Sequence, residues 1–257
     1  MTVSPARSRL IVLGTGIALV RHVTYEAMEF IKQADVVFHL TPSPAVAYWL
    51  RRLNSNSESL VGFYSEERDR RESYEDMARH VVNALPKSAR LVCFAAYGHP
   101  GIGAYPTHRA IQLAREEGYE ARMLPGISAD ACMVADLGLN PLDTGWHQLE
   151  ASDFVYLART PDTSAALVLW QAGLVGVSAG WASDEAHGPG LVALRDVLQL
   201  YYPPNHEVVV YEAAALPVEG PRVHRTTIGG LAEAPVSPVS TLYVPPLRQS
   251  ARRVRPV

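Results

Sequence analysis

A short turn in the first half of the chain combines a phenol and an imidazole with flexible backbone. It reads Tyr97-Gly98-His99-Pro100-Gly101 and lies between an apolar run at 91–96 and a helical pattern at 107–117. In open α/β sheets, such strand-to-helix turns lie at the carboxyl ends of the strands, where ligands bind. Glycine also lets the main chain approach a ligand closely. The turn is therefore a candidate binding site, although the same residues also suit a simple sharp connection.

A second candidate site combines one arginine with two tyrosines. Arg70 and Tyr74 are four residues apart in a charged helical pattern at 66–84, so they share one face of the helix, and Tyr64 precedes the expected Ser65 cap. A guanidinium beside a phenol favours the phenolate, which lowers the pKa of tyrosine from its usual value of about 10 and allows it to accept a proton. Taken alone, these residue types favour a solvated arginine and a core tyrosine over catalysis.

The elements that must position these residues alternate regularly in the first half of the chain. Apolar runs predict strands, and capped patterns of period 3.6 predict the helices between them. Alternation of this kind predicts right-handed βαβ units and a parallel, doubly wound sheet. The predicted strands are 10–13, 36–40, 60–61, 91–96 and 121–124, and the predicted helices are 24–33, 44–53, 66–84, 107–117 and 128–137.

The pattern changes near residue 146, where fewer helices accompany the strands. Strands are predicted at 154–158, 167–170, 208–211 and 241–244, with one clear helix at about 189–201. This ratio predicts a mixed sheet with antiparallel pairs. The fold class is therefore α/β with two domains. The predicted ranges are 1–145 for the doubly wound domain, 146–247 for the mixed one and 248–257 for a basic, disordered tail.

Composition narrows the class of protein. The chain has 257 residues, 48% of them hydrophobic and 19% charged, with a formal net charge of -3. Nothing in these totals indicates a nucleic-acid or membrane partner, and the first residues lack the apolar core of a secretory signal. Cys93 and Cys132 lie in apolar contexts, which is typical of buried thiols in a cytoplasmic protein. The nine histidines show no metal-ligand spacing, so no metal is expected.

The glycine turn after the first strand raises the possibility of dinucleotide binding. Gly14-Thr15-Gly16 supplies two glycines, but Leu19 occupies the position of the third. The second strand ends in His39-Leu40-Thr41 and offers no carboxylate for a ribose. A nicotinamide or flavin enzyme is therefore disfavoured.

The order of these motifs resembles the tetrapyrrole methylase superfamily, which uses S-adenosylmethionine (SAM). Within it, the chain is most similar to the borosin peptide backbone α-N-methyltransferases over residues 10–247. The blocks that carry this resemblance are Phe63-Tyr64, Arg70-Arg71-Glu72-Ser73-Tyr74, the 97–101 turn, His108-Arg109-Ala110, Leu124-Pro125-Gly126-Ile127-Ser128-Ala129, Ala135-Asp136-Leu137-Gly138, Glu150-Ala151, Trp170-Gln171, Ser240-Thr241 and Pro245-Pro246.

The resemblance implies a fold, a cofactor and a set of site residues. SAM would lie in a cleft between the two α/β domains, and Tyr64, Arg70 and Tyr74 would be catalytic. The cofactor-binding residues would come from both halves of the chain: Tyr97, His99, Ile102, Ser128, Ala129, Gln171, Tyr211, Ala213, Ser240 and Thr241. Ser128 would cap a helix whose amides suit a carboxylate, and the Gln171 amide can both donate and accept hydrogen bonds.

The resemblance also implies a peptide partner. Fungal members carry their substrate on their own C-terminus, whereas the tail here is rich in arginine and has no apolar core peptide. We therefore expect the split, bacterial-like type, with a separate precursor peptide and a homodimer that binds two peptides. Two alternatives stay open: a SAM-dependent methylase of a tetrapyrrole or RNA, and a non-catalytic SAM-binding partner protein.

Overall fold

A computed structural model describes residues 8–85, 90–180, 187–216 and 218–247. The predicted tail at 248–257 lies outside these described residues. By their internal contacts, the residues divide into two compact units. The first unit lies within 1–128, 179–181 and 215–219, and the second unit comprises the remainder. The domain boundary expected from the sequence, at 145/146, stays a prediction.

The first unit is built on a five-stranded parallel sheet in the order β3-β2-β4-β1-β5. All neighbouring strands are parallel, so the predicted sheet is confirmed. β1 and β4 pair directly along their whole length, from Arg9 opposite Leu91 to Gly14 opposite Ala96. The strands are β1 (Arg9–Gly14), β2 (Val36–Leu40), β3 (Ser57–Ser59), β4 (Leu91–Ala96) and β5 (Glu120–Met123).

Helices cover both faces of this sheet, which confirms the doubly wound arrangement. Ile31 of α1 and Leu50 of α2 pack with Val37 on one face. Met77 of α3 and Ala110 of α4 pack in the separate cluster on the other face. The helices are α1 (Tyr25–Gln33), α2 (Pro44–Leu53), α3 (Arg70–Val82) and α4 (Tyr105–Glu116).

The start of α3 differs from the prediction. The helix begins at Arg70 rather than at 66, because the Asp69 carboxylate caps it by accepting a hydrogen bond from the Arg71 N–H at 2.6 Å. The Ser65 hydroxyl accepts from the Glu67 N–H, ahead of the helix. Aspartate and serine are both good N-caps, so the sequence offered two starts. The observed start places Arg70 in the first turn of α3.

The strand predicted at 60–61 is wrong. β3 lies at Ser57–Ser59, and Val61–Phe63 forms a single 3₁₀ turn. β3 is a polar edge strand whose place is set by backbone pairing to β2, and its side chains carry no apolar signal. The buried Leu60, which suggested a strand, instead follows its end.

The second unit contains a mixed sheet in the order β6-β7-β10-β8-β9. β6 and β7 are parallel and the remaining pairs are antiparallel, as predicted. The strands are β6 (Trp146–Glu150), β7 (Ala166–Trp170), β8 (Glu207–Glu212), β9 (Arg222–Thr227) and β10 (Thr241–Val244), and the helices are α5 (Ala129–Leu137), α6 (Pro141–Thr144), α7 (Ala151–Tyr156) and α8 (His187–Leu198).

One predicted strand of this unit is a helix. Residues 154–158 were expected to be extended, but α7 occupies most of that stretch and buries Phe154. The Glu150 carboxylate caps α7 by accepting from the Asp153 N–H at 2.8 Å. A helix of six residues is too short to show a clear period of 3.6. No helix among the described residues is long and apolar enough to cross a membrane.

The two cysteines should react slowly in the folded protein. Burial raises the pKa of the Cys93 thiol to about 12 and that of Cys132 to about 11, against about 8.5 for a free cysteine. At pH 8, we expect labelling by a thiol-reactive disulfide to be slow, with Cys132 ahead of the fully buried Cys93. Because unfolding lowers both pKa values, stability should also fall as the pH rises above about 8.5. Equal rates in native buffer and in urea would contradict this prediction.

Candidate active site

The carboxyl ends of β1 and β4 mark the point where the strand connections of the first unit change direction. These two strands are neighbours in the sheet. The helix that follows β1, α1, packs on one face of the sheet, and the helix that follows β4, α4, packs on the other. Such a point of divergence is where open α/β sheets bind ligands. The turns at 14–16 and 97–101 both lie there.

Three glycine turns are packed against one another at this point. Gly16 and Gly98 exchange backbone hydrogen bonds of 3.2 and 3.1 Å. A Cβ atom on Gly14 would lie 2.3 Å from the Gly98 carbonyl oxygen, and one on Gly126 would lie 2.7 Å from the same oxygen. These positions therefore require glycine because neighbouring main chain fills the space.

The 97–101 turn is shaped by its own histidine. His99 Nδ1 accepts a hydrogen bond from the Gly101 N–H at 2.9 Å, and the Tyr97 N–H donates to the Leu40 carbonyl at 3.1 Å. Ile102 follows with 37% of its surface exposed. The three residues predicted to bind the cofactor here, Tyr97, His99 and Ile102, thus share one turn. One ring nitrogen of His99 holds the loop itself.

The arginine and the two tyrosines predicted to be catalytic lie together in the first unit. The Tyr64 and Tyr74 rings are 5.9 Å apart between centroids, nearly perpendicular. Arg70 Cζ lies 5.6 Å from the Tyr64 centroid and 5.8 Å from the Tyr74 centroid. All three side chains are partly buried. The two rings and the guanidinium thus form a nearly equilateral triangle, in which Tyr64 hydrogen-bonds with both Arg70 and Tyr74.

The predicted lowering of a tyrosine pKa is wrong for Tyr64. Burial raises the pKa of Tyr64 well above its usual value, and the neighbouring Tyr74 adds to the rise. Arg70 acts in the predicted direction, but its effect is smaller than that of burial. Removal from water penalises the charged form of any acid, and for Tyr64 this effect is larger than the opposing effect of Arg70. Tyr64 is therefore a neutral phenol at physiological pH and a hydrogen-bond donor.

A supporting network beside Tyr74 was not predicted. The Tyr105 ring lies 6.2 Å from that of Tyr74, and its hydroxyl donates to the Glu75 carboxylate. Arg109 Nε donates to the same carboxylate at 2.9 Å. The network joins α3 to α4 behind the tyrosine pair. Its only sequence signal is a glutamate next to Tyr74, which is too common to be informative.

The cofactor residues predicted in the second unit meet at one end of the mixed sheet. The Ala172 N–H, next to Gln171, donates to the Ser240 carbonyl at 3.1 Å. Thr241 pairs with Tyr211 across β10 and β8, and Ala213 follows β8 directly. Gln171 has a left-handed backbone with φ of 57°, which marks a sharp turn after β7.

Two polar side chains of this group bind other protein atoms. The buried Tyr211 hydroxyl donates to the Asp136 carboxylate at 2.5 Å. The buried Ser240 hydroxyl donates to the Glu212 carboxylate, which also accepts from Ser237 at 2.6 Å. Both hydroxyls therefore help to hold this end of the sheet. Trp146 and Trp170 pack against the buried cluster that contains Tyr211.

Removal of the Tyr211 hydroxyl should cost stability. Tyr211→Phe keeps the ring but leaves the Asp136 carboxylate without this donor, so we expect the free energy of unfolding to fall by about 1–3 kcal/mol. Urea denaturation measures this difference. Tyr156→Phe is a suitable control because that ring is 60% exposed. Unchanged stability of the Tyr211 variant would contradict a structural role for the hydroxyl.

Ser128 and Ala129 lie where the chain enters α5. Ser128 is 9% exposed, and Ala129 is the first residue of the helix, as the sequence suggested. Among the described residues, no group of three metal-ligating side chains occurs.

A match to a family model identifies the class of protein to which this fold belongs. A sequence model of the family described as Tetrapyrrole (Corrin/Porphyrin) Methylases matches residues 9–232, and the chain belongs to this family. The predicted membership of the tetrapyrrole methylase superfamily is therefore confirmed.

Solved structures support the fold alone. The uroporphyrin-III-C-methyltransferase from Thermus thermophilus has a TM-score of 0.65 and 19% identity, with 93% of both chains covered. A structure of that enzyme with S-adenosylhomocysteine has a TM-score of 0.61 and 18% identity, covering 92% of this chain and 97% of that chain.

Curated relatives confirm the similarity to the borosin branch. A methyltransferase and type I borosin cyclic peptide precursor of Coprinopsis marcescibilis is 39% identical over 256 residues, which covers 98% of this chain and 65% of the relative. A gymnopeptide precursor of Gymnopus fusipes, also named a methyltransferase, is 36% identical and covers 92% of this chain and 57% of the relative. The chain thus spans less than two thirds of either relative, and each of these relatives is named as methyltransferase and precursor in one.

Proposed function

We propose that this chain uses SAM to methylate backbone amide nitrogens of a ribosomally made precursor peptide. The observation that carries this proposal is the clustering of Arg70 with Tyr64 and Tyr74. The similarity to relatives named as methyltransferase and cyclic peptide precursor supports the same choice. We also propose that the precursor peptide is a separate chain, which the experiment below tests.

The chemistry explains why an amide needs such a group. The amide nitrogen is a poor nucleophile because its lone pair is delocalised into the carbonyl. Loss of the N–H proton would restore nucleophilicity and leave negative charge on the carbonyl oxygen. The protein must therefore accept a proton and stabilise an oxyanion while it holds the nitrogen in line with the methyl donor.

Each member of the trio has a role in this proposal. Tyr64, held as a neutral phenol by burial, donates a hydrogen bond to the developing oxyanion. Arg70 supplies positive charge beside the same oxygen. Tyr74 is the remaining tyrosine, and we assign to it the role of the base: its phenolate oxygen accepts the amide proton and becomes the phenol. The Glu75–Tyr105–Arg109 network positions Tyr74 through the contact between the Tyr105 and Tyr74 rings.

The residues of each unit suit parts of a SAM molecule. In the first unit, the 97–101 turn and Ile102 present main chain at the divergence of β1 and β4. In the second unit, the amide of Gln171 can pair with an adenine edge or a carboxylate. Ser128, Ala129, Tyr211, Ala213, Ser240 and Thr241 complete the proposed set. When bound, the cofactor would supply a methyl group on a sulfonium.

Product formation separates this proposal from its alternatives. The purified chain would be incubated with SAM and one of three substrates: the precursor segment of the Coprinopsis marcescibilis relative, uroporphyrinogen III or transfer RNA. We expect S-adenosylhomocysteine to form only with the peptide. Turnover with the tetrapyrrole or RNA would favour the alternative methylase, and SAM binding without turnover on any substrate would favour a non-catalytic partner protein.

The same reaction tests the arrangement of chains. Methylation of a peptide added separately would support a precursor in trans. Light scattering during the reaction tests the proposed homodimer with two bound peptides, whose candidate contacts are the surface of α3 and the Trp49 region. A monomer that remains active would contradict that assembly.

A further inference from the structure

A cavity of about 240 Å³ lies in the first unit, away from the trio of Tyr64, Arg70 and Tyr74. Its lining comes from the ends of β2 and β3 and from one side of α2. The lining residues are His39, Ala47, Tyr48, Arg51 and Ser59. None of them is among the catalytic or cofactor-binding residues proposed above.

Strand alternation places this cavity on the opposite face of the sheet from the trio. Phe38 packs with Met77 of α3, and Glu58 pairs with His80 of α3 at 2.7 Å. The trio tyrosines pack against this same cluster of α3. Successive residues of a strand point to opposite faces, so His39 and Ser59, which are paired in the β2–β3 register, face α2.

The cavity has a buried polar floor and an exposed rim. His39 is 2% exposed, and its Nδ1 is buried without a hydrogen-bond partner among the described residues. Tyr48 is 66% exposed and Arg51 and Ser59 are exposed as well. A buried polar atom without a partner is costly and therefore unusual in a native protein, and a ligand group is one way to satisfy it.

The lining residues favour a particular ligand chemistry. Arg51 is a cation, and no carboxylate is among the residues that line the cavity. Burial and the nearby Arg51 charge both lower the pKa of His39, so its imidazole is neutral. One guanidinium with a neutral imidazole and two hydroxyls matches a single carboxylate better than a phosphate dianion. The Tyr48 ring and Ala47 provide an apolar wall.

We propose that this cavity binds a small organic carboxylate, with Arg51 pairing the carboxylate and His39 and Ser59 completing its hydrogen bonds. The volume is below the usual range for drug-sized ligands, so the ligand is compact. This carboxylate site is separate from the residues proposed for methylation, and the proposal does not depend on that reaction.

Titration of the full chain with benzoate tests this site. The chain would carry isotope-labelled histidine, with the His39 ring signals assigned by comparison with His39→Gln. We expect benzoate to move these signals saturably, while benzamide, the neutral molecule of the same shape, should not. Arg51→Gln should weaken the apparent affinity at least about tenfold, as expected for loss of a charge-assisted contact. Arg52→Gln, on the same helix but outside the lining, should leave the affinity unchanged.

Three outcomes would overturn the proposal. They are the absence of a saturable shift with benzoate, equal affinity in Arg51→Gln and the parent chain, and tighter binding of inorganic phosphate than of benzoate. Circular dichroism of Arg51→Gln establishes that the variant is folded before its affinity is compared.

Discussion

Arg70→Ala is expected to reduce the rate of peptide methylation by about 100- to 1,000-fold, which is the usual cost of removing one stabilising group from a developing oxyanion. The guanidinium lies against both phenols, so its loss also removes the charge that opposes the raised pKa of Tyr64. The measurement is the rate of S-adenosylhomocysteine formation at saturating SAM and peptide. SAM affinity, measured by calorimetry, should be unchanged.

Two control variants make this result specific. Arg79→Gln removes an exposed arginine from the same helix, and Tyr119→Phe alters a tyrosine that packs on the same core. Both should retain the parent rate. Tyr64→Phe and Tyr74→Phe should each lose activity, and because the two tyrosines have different proposed roles, their rates should depend differently on pH. Parent-level activity in Arg70→Ala would remove the arginine from the mechanism.

Gly14→Ala is expected to destabilise the protein by 3 kcal/mol or more, about the upper limit of ordinary overpacking. The added methyl would lie 2.3 Å from the Gly98 carbonyl oxygen and 2.9 Å from Pro100 Cδ. Backbone cannot rotate away as a flexible side chain can, so the three turns must separate. Urea denaturation should show the loss of stability, and SAM binding should weaken with it.

Gly62→Ala is the matched control for this substitution. Nothing lies within 4 Å of the position that its Cβ would occupy, and its φ is outside the left-handed region. This variant should match the parent in both stability and cofactor binding. A Gly14→Ala protein as stable as Gly62→Ala would show that the turns are not packed as described.

The apolar elements of the fold could be predicted from the sequence. Val36–Leu40 and Thr241–Val244 are short buried strands with turn signals on both sides, and both have the predicted bounds. The i, i+4 spacing predicts that Arg70 and Tyr74 share one face of a helix, whereas the choice of the trio as catalytic is what the family resemblance implies. Two of the strands that the sequence did not predict are polar. Ser57–Ser59 and Arg222–Thr227 are edge strands whose formation depends on backbone pairing to a neighbour.

The electrostatics of the site could not be predicted from residue types. The sequence places a guanidinium near a phenol, but it does not give the depth at which the phenol lies. Burial of Tyr64 outweighs the effect of Arg70 and reverses the expected direction of its pKa. Likewise, the hydroxyl of Tyr211 donates to Asp136 and that of Ser240 donates to Glu212. Both carboxylates are distant in sequence from their donors, so the sequence alone does not indicate these pairs.

The most direct measurement follows a labelled methyl group from SAM to the peptide. The chain and a separately added precursor segment would be incubated with SAM carrying a trideuterated methyl, and the peptide fragmented in a tandem mass spectrometer. We expect the label on backbone nitrogen with the parent chain and its loss with Arg70→Ala. Label found on side chains, or equal backbone labelling by both proteins, would contradict it.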